Sequence, residues 1–267
     1  MANKMRATAL LMIHAGRSAH AGSNMSPADI YTILYNAIAK INPKRPNDPN
    51  RDRVVISKGH GAAIVWAILA ERGFFPRQWL KTYYKDNGKL PGHITKMQIP
   101  GVELSTGSLG HGLPFSCGVA LSGKRNHKKF RVFTILSDGE MDEGSNWEAF
   151  LFAPHYKLDN LTVILDYNKI QSLARVSETL NLEPLREKLI SFGWAVKEID
   201  GHNHKQIFET LKKIPLNKNK PSFIIAHTIK GKGVSFMEDT VTWHYGNTTD
   251  AQIKQALKEL GMQNLRI

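Results

Sequence analysis

The stretch Val132-Phe133-Thr134-Ile135-Leu136-Ser137-Asp138-Gly139-Glu140 decides the fold, because residues typical of a buried strand lead directly into a polar cluster. A second apolar run, Leu161-Thr162-Val163-Ile164-Leu165, is followed by Asp166-Tyr167-Asn168. Continuous apolar runs of this length are typical of strands in a parallel sheet that is covered on both faces. The sequence therefore predicts two neighbouring parallel strands whose carboxyl ends carry polar side chains.

Asp138 and Asn168 lie 168 − 138 = 30 positions apart, which is enough for one strand–helix–strand crossover. Open α/β sheets bind ligands in the crevice outside the carboxyl ends of their strands. A carboxylate oxygen, an amide oxygen and a nearby backbone carbonyl form a hard, oxygen-only partial shell. Mg²⁺ accepts such a shell when phosphate oxygens complete its octahedron. The pair therefore predicts a magnesium–diphosphate site.

Strands and helices alternate along the rest of the chain. We predict a doubly wound, mostly parallel α/β sheet with helices on both faces, in a single domain over residues 1–267. Ser26 is expected to cap a helix whose first residue is Pro27, and residues 91–109 are expected to form a loop. The predicted strands cover 54–56, 132–136, 161–165, 195–199 and 223–226, and the other predicted helices cover 5–16, 64–69, 113–121, 147–152, a segment ending near 193, 204–214 and 250–260.

Composition indicates a globular chain with one large core, since 267 residues contain 42% hydrophobic residues. No apolar run is long enough to cross a bilayer, and the first residues lack the pattern of a secretory signal. The single cysteine, Cys117, lies among apolar residues and is expected to be a buried thiol. We therefore expect a cytoplasmic protein without a membrane partner.

The formal net charge of +13 raises the question of a nucleic-acid partner. The basic residues are spread out or lie in turns such as 123–129 and 217–220, and no aromatic residues are interleaved there to stack on bases. This pattern favours a solvated surface, or anionic substrates or an acidic partner. A basic nucleic-acid-binding module remains the non-enzyme alternative.

The Gly-rich stretch from Thr106 to Gly112 precedes a predicted helix. Its Gly107, Ser108 and Leu109 are candidate cofactor contacts, because glycine allows backbone N–H groups to approach a phosphate at a helix N-terminus. Such turns are common, so the stretch gains weight only beside Asp138 and Asn168. The acidic residues after Asp138, among them Glu140, are typical of a first helical turn that complements the helix dipole.

Four histidines lie in short loops beside glycine: His20, His60, His93 and His244. If they converge on one crevice, they can serve as hydrogen-bond donors and proton shuttles for a polyhydroxylated substrate. Zinc is the competing interpretation. It is disfavoured because no pair has the tight spacing of metal ligands and no cysteine supports them.

Taken together, these motifs resemble the N-terminal, diphosphate-binding domain of transketolase, and most closely the N-terminal subunit of split, two-gene transketolases. The resemblance covers nearly the whole chain and preserves the order of its motifs. They include Ser18-Ala19-His20-Ala21-Gly22, Ser57-Lys58-Gly59-His60-Gly61, Pro91-Gly92-His93, Ser105-Thr106-Gly107-Ser108-Leu109-Gly110, Asp138-Gly139-Glu140, Glu143-Gly144, Asp166-Tyr167-Asn168-Lys169-Ile170 and His227-Thr228-Ile229-Lys230-Gly231-Lys232-Gly233.

The resemblance implies thiamine diphosphate with Mg²⁺ or Ca²⁺ and assigns roles to individual residues. The metal ligands carry over to Asp138, Asn168 and the backbone carbonyl of Ile170. The remaining cofactor contacts are Gly107, Ser108, Leu109, Gly139, Glu140, His60 and His244, and the substrate channel is lined by His20, His60, His93 and His244. Glu143 and Glu148 match buried acids that link two cofactor sites across a dimer interface.

The resemblance also implies a partner. In full-length relatives the cofactor's aminopyrimidine is held by a further, pyrimidine-binding domain, and this sequence ends at Ile267, before any such domain. The expected partner is a C-terminal transketolase subunit, in an α₂β₂ assembly. The pair would move a two-carbon ketol unit from a ketose or ketose phosphate to an aldose or aldose phosphate in carbohydrate metabolism, as in the pentose phosphate pathway.

Three departures from the family pattern leave room for other substrates. Ser137 replaces the usual glycine of the metal motif, His111 stands where glutamine is frequent, and Gln171-Ser172-Leu173-Ala174 replaces a stretch that often contains Asp-Gly. One alternative is a transketolase-like pair dedicated to an unusual sugar. Another is the α component of a 2-oxoacid dehydrogenase, although the four histidine loops favour transketolase.

Overall fold

Five parallel strands form the centre of the protein in the computed structural model, which describes residues 1–97 and 99–267. Their order in the sheet is β1-β2-β3-β5-β4, and every neighbouring pair is parallel. All five carboxyl ends therefore lie at one edge of the sheet. The strands are β1 (Arg53–Ile56), β2 (Val132–Ser137), β3 (Leu161–Tyr167), β4 (Ala195–Asp200) and β5 (Ser222–His227).

Helices connect and flank these strands. Short helical turns of other types cover Leu34–Ile38 (a π turn), Arg77–Thr82, Gly139–Asp142 and Thr242–His244. The α-helices of the described residues are α1 (Ala2–Gly16), α2 (Ala21–Met25), α3 (Ala28–Ile33), α4 (Ala62–Glu71), α5 (Gly112–Arg125), α6 (Gly144–His155), α7 (Val176–Thr179), α8 (Leu185–Ser191), α9 (His204–Lys212) and α10 (Asp250–Glu259).

Side chains of the central strands alternate between two hydrophobic cores, as the pleat of a strand requires. In β2, Val132 and Leu136 face the core under α5, α6 and α8, whereas Phe133 and Ile135 face the core under α1, α3, α4 and α9. Every residue of β2 and β3 is buried. The predicted doubly wound α/β sheet with helices on both faces is therefore confirmed, and its described strands are all parallel.

Two predictions about the edges of elements were wrong. Strand β3 continues through Tyr167, so Asp166 is a strand residue and not part of a following loop. Ser26 does not cap a helix, because Pro27 occupies the cap position of α3 and the Ser26 hydroxyl donates a 2.7 Å hydrogen bond to Asp166 Oδ2. The buried carboxylate has no water to accept from, and it recruits the serine instead.

Other expectations agree with the structure. The predicted loop over 91–109 contains no helix or strand in 91–97 and 99–109, and residue 98 lies outside the described residues. Cys117 is buried, and burial raises the pKa of its thiol to about 12. None of the helices in the described ranges combines the length and the apolar character needed to cross a membrane.

Phe150 tests the core under α6. Its fully buried ring packs within 5.7 Å (between ring centroids) of Trp194 and Phe223. We expect Phe150→Ala to lower the free energy of unfolding by about 3–5 kcal/mol, because it leaves a cavity that the sheet cannot fill. Urea unfolding followed by circular dichroism measures the loss. The matched control is Leu151→Ala, whose side chain is 63% exposed and should change stability by less than about 0.5 kcal/mol. Equal losses in the two variants would contradict this account of the core.

Candidate cofactor and substrate site

A cavity of about 220 Å³ lies at the carboxyl ends of the strands. Of the sequence-predicted site residues it is lined by His60, Leu109, Asp138, Gly139, Asn168, Ile170 and His244. Its lining also includes Ser23, Lys58, Ser137, Gln171, Ser172 and Tyr245, to which the sequence analysis assigned no contact with a ligand. The crevice therefore lies where an open α/β sheet binds its ligands.

Asp138 and Asn168 meet because β2 and β3 are neighbours in register, with Ser137 paired to Asp166. Asp138 Oδ2 accepts a 2.7 Å hydrogen bond from the N–H of Lys169, and its Oδ1 accepts one from Gly139. Asn168 Oδ1 accepts from the N–H of Ile170 at 3.1 Å. These bonds hold the carboxylate and the amide at the edge of the same cavity.

The donor set of this cavity fits a hard divalent cation. It combines the Asp138 carboxylate, the Asn168 amide oxygen and the Ile170 carbonyl, and such oxygens are the ligands that Mg²⁺ and Ca²⁺ prefer. Burial, together with nearby Asp166, raises the pKa of Asp138 to about 7, so a cation beside this carboxylate would favour its charged form. Within residues 1–97 and 99–267, no three His, Cys, Asp or Glu side chains are grouped so that they could hold a metal ion.

The Gly-rich loop before α5 lies against the end of β1. Thr106 Oγ1 donates to the carbonyl of Ile56 at 2.7 Å, and a Cβ atom built on Gly59 would lie only 2.2 Å from the carbonyl oxygen of Thr106. Glycine is therefore required at position 59 for this close approach. The loop directs Leu109 into the cavity, whereas Gly107 and Ser108 are exposed and do not line it.

Glu140 does not complement a helix dipole and does not line the cavity, so that interpretation was wrong. The turn Gly139–Asp142 directs its side chain inward, where it is fully buried. Its carboxylate accepts hydrogen bonds from the Ser57 hydroxyl and from the N–H of Gly110 at 3.0 Å. Burial raises the pKa of Glu140 to about 7. The residue joins the Gly-rich loop to the ends of β1 and β2.

The four loop histidines come together beside the cavity. The ring centroid of His20 lies 5.1 Å from that of His60, 5.0 Å from that of His244 and 5.9 Å from that of His93. His60 and His244 line the cavity itself. Each imidazole is delivered by a different segment of the chain, so the cluster exists only in the folded protein.

Backbone strain and burial mark His20 within this cluster. Its φ of 74° lies in the left-handed region, which costs free energy for a residue other than glycine, and its N–H donates a 2.7 Å hydrogen bond to the carbonyl of His244. Burial and the neighbouring His93, Lys230 and Lys58 lower the pKa of His20 to about 4. Strain of this kind persists only where surrounding contacts enforce it.

The cavity-lining histidines are also held in the neutral form. Burial and nearby Lys58 lower the pKa of His60 well below its ordinary value, and burial and Lys230 lower that of His244 to about 3. Lys230 Nζ donates to His244 Nδ1 at 3.0 Å, so the proton of this neutral imidazole lies on Nε2. Lys230 also donates to the carbonyls of Ile170 and Gln171.

Lys58 is a site residue that the sequence analysis quoted within a motif but assigned no role. It is buried, and its Nζ lies 2.6 Å from Asp166 Oδ2 and donates to the carbonyl of Ser23. A buried lysine is rare unless it is paired, and this rarity was the available signal. With Lys230 it places two ammonium groups beside the cavity.

Glu143 and Glu148 lie away from the cavity. Both are exposed in this chain, so the burial that the resemblance implied is not provided by the chain itself. Glu148 lines a separate pocket of about 310 Å³ between α5 and α6, together with Pro114, Cys117 and Phe152. Only a second chain over this face would bury the two acids.

The fold and the site define an α/β protein whose ligand crevice combines hard oxygen donors, neutral imidazoles and buried ammonium groups. The family model described as "Transketolase, thiamine diphosphate binding domain" matches residues 1–266. The chain belongs to the transketolase family, whose members are transferases. This result decides between transketolase and the 2-oxoacid dehydrogenase component in favour of transketolase.

Relatives of two lengths are similar to this chain. It is 41% identical to one of the named subunits of apulose-4-phosphate transketolase from Actinobacillus succinogenes, covering 96% of this chain and 92% of the relative. It is 40% identical to the SqwG subunit of 6-deoxy-6-sulfo-D-fructose transketolase from Clostridium sp., covering 90% and 88%. It is also 36% identical to human transketolase, covering 98% of this chain but 42% of that protein.

Solved transketolases have the same fold. The structure of transketolase from Campylobacter jejuni superposes with a TM-score of 0.92 at 30% identity, covering 99% of this chain and 43% of that one. Transketolase from Leishmania mexicana gives a TM-score of 0.91 at 29% identity, covering 97% and 40%. The chain thus spans less than half of these full-length enzymes.

The titration of His20 tests the electrostatics of the cluster. We expect its imidazole to stay neutral at pH 7 and to become protonated only near pH 4, since burial disfavours its charged form. The unfolded state binds this proton near pH 6.5, so the contribution of neutral His20 to stability is present above pH 6.5 and is lost as pH falls toward 4. Imidazole NMR of ¹⁵N-labelled protein measures the pKa, with the half-exposed His204 as internal control. An ordinary midpoint for His20 would contradict the geometry.

Proposed function

We propose that this chain is the thiamine-diphosphate-binding subunit of a two-subunit transketolase, which transfers a two-carbon ketol unit from a ketose to an aldose. The observation that carries the proposal is one cavity that joins Asp138, Asn168 and Ile170 to His60 and His244. The family match over nearly the whole chain and the relatives named as subunits of similar length support it.

The chain's own residues provide a holder for the cofactor's diphosphate. Asp138, Asn168 and the Ile170 carbonyl would hold Mg²⁺ or Ca²⁺, and Gly107, Ser108 and Gly139 offer backbone N–H groups nearby. Lys58 and Lys230 add positive charge that favours an anionic ligand. When bound, thiamine diphosphate supplies the carbon nucleophile and the electron sink for breaking the bond beside a ketose carbonyl.

The neutral imidazoles supply proton transfer and orientation. His60 and His244 line the cavity with one protonated and one free ring nitrogen each, so they can both donate to and accept from sugar hydroxyls. His20 and His93 stand directly behind or beside them. A low pKa keeps these rings from being locked as cations beside the two lysines.

A partner chain would complete the site. The chain matches only about two fifths of full-length transketolases, and two exposed acids, Glu143 and Glu148, adjoin an open apolar pocket. We propose a C-terminal subunit with a pyrimidine-binding domain, in an α₂β₂ assembly. Glu143 and Glu148 would then become buried at an interface.

A specialised sugar is the second candidate substrate class. It is favoured by two relatives of this length, whose names specify apulose 4-phosphate and 6-deoxy-6-sulfo-D-fructose. Ser172 and Gln171, from the segment that departs from the family pattern, line the cavity. The chain's donor and acceptor could accordingly lie outside central carbohydrate metabolism.

Asp138→Ala tests the cofactor assignment. In the assembled complex we expect the affinity for thiamine diphosphate with Mg²⁺ to fall more than about 100-fold, because a charged metal ligand is lost. Isothermal titration calorimetry measures the change. The control is Asp159→Ala, which removes a carboxylate paired with Lys124 before β3, at the opposite edge of the sheet, and should leave affinity unchanged. Unchanged affinity in Asp138→Ala would remove Asp138 from the metal site.

Reconstitution tests the need for a partner. The purified chain is expected to show no ketol transfer, and adding the candidate C-terminal subunit should restore it, because the pyrimidine-binding part of the site is then present. A coupled assay with a ketose donor and an aldose acceptor gives the rate. Heat-denatured partner is the control. Full activity of this chain alone would refute the two-subunit proposal.

A further inference from the structure

Tyr245 is a large exposed aromatic residue within the site. Its side chain is 58% exposed, yet it lines the cavity together with His60, His244 and Asn168. It directly follows the helical turn Thr242–His244. An exposed ring at a ligand cavity has no role in the core, so its position asks for a role in binding.

The backbone beneath Tyr245 is held rigidly. The N–H groups of Tyr245 and Gly246 both donate to the carbonyl of Thr242, at 3.3 and 2.9 Å. Neighbouring Trp243 is buried and its indole N–H donates to the carbonyl of Phe236 at 2.7 Å. The tyrosine ring is therefore presented by a fixed turn and not by a free loop.

The ring packs against the two innermost histidines. Its centroid lies 4.8 Å from that of His244 and 5.8 Å from that of His20. Such a gap is spanned by about three carbon–carbon bonds of ~1.5 Å each. A sugar whose reacting carbons lie at these imidazoles would bring its more distant carbons to the tyrosine ring.

We propose that Tyr245 is a specificity-determining residue whose ring packs against the sugar carbons beyond the reacting ones, so that it favours substrates long enough to reach it. This inference rests on the proposed ketol transfer. Aromatic faces bind the C–H groups of sugars through their buried area and negative quadrupole. A two-carbon aldehyde ends before the ring and gains nothing from it.

The test uses the assembled complex with thiamine diphosphate, Mg²⁺ and hydroxypyruvate as donor. Acceptors are aldoses of two to five carbons, with and without a terminal phosphate. We expect Tyr245→Ala to raise KM for the longest accepted aldose about tenfold, equivalent to about 1.4 kcal/mol, with kcat within about twofold. The kcat/KM for glycolaldehyde should not change. Tyr245→Phe keeps the ring and should retain the wild-type preference.

A binding measurement separates contact from turnover. The probe is the sugar alcohol made by reducing that same aldose, which has no carbonyl and cannot react. Its Kd should rise about tenfold in Tyr245→Ala, the same 1.4 kcal/mol or so, and stay unchanged in Tyr245→Phe. Tyr156→Ala, which removes a 40% exposed tyrosine at the far end of α6, is the matched control, and size-exclusion chromatography checks assembly of every variant.

Two outcomes are distinguishable from success and from each other. If the wild-type complex transfers ketol units but Tyr245→Ala keeps the wild-type ratio of kcat/KM between long and short acceptors, the role of Tyr245 is overturned and the proposed function stands. If the wild-type complex transfers to no aldose in the series, the proposed function fails, and the inference fails with it.

Discussion

The buried carboxylate of Asp166 is the constraint on which the site depends. Its Oδ2 accepts hydrogen bonds from Lys58 at 2.6 Å and Ser26 at 2.7 Å, and its Oδ1 accepts one from Thr228 at 2.5 Å. These partners lie after β1, before α3 and after β5, so one charge aligns three segments with the end of β3. Removing a charge pair from water costs several kcal/mol per ion, and only a complete set of partners offsets that cost. Asn168, two residues further on, takes its position from this network.

The electrostatics of the cavity follow from the same burial. The ammonium groups of Lys58 and Lys230 stay beside the cavity because carboxylates and carbonyls satisfy them. In that field, a protonated imidazole would face like charge as well as desolvation, which explains the lowered pKa values of His20 and His244. The result is an environment that attracts an anion while leaving its imidazoles free for proton transfer.

The surface around the site is open in a way that matches the proposed assembly. Tyr245 and the acids Glu143 and Glu148 are exposed, and the pocket between α5 and α6 is lined by apolar groups. Burying such a face against a second chain would gain free energy in proportion to the apolar area removed from water. The same contact would close the cavity on its open side and shield the cofactor from solvent.

The sequence by itself determined the sheet and the positions of Asp138 and Asn168, because continuous apolar runs specify buried parallel strands and parallel strands end at one edge. Only the tertiary structure decided that Glu140 points inward and that Ser26 joins the Asp166 network. It also decided that four histidines spread over more than 200 positions, from His20 to His244, share one cluster. The physical reason is range: periodicity and turn chemistry record whether a residue is buried locally, whereas the partner of a buried polar group is chosen by contacts between distant segments.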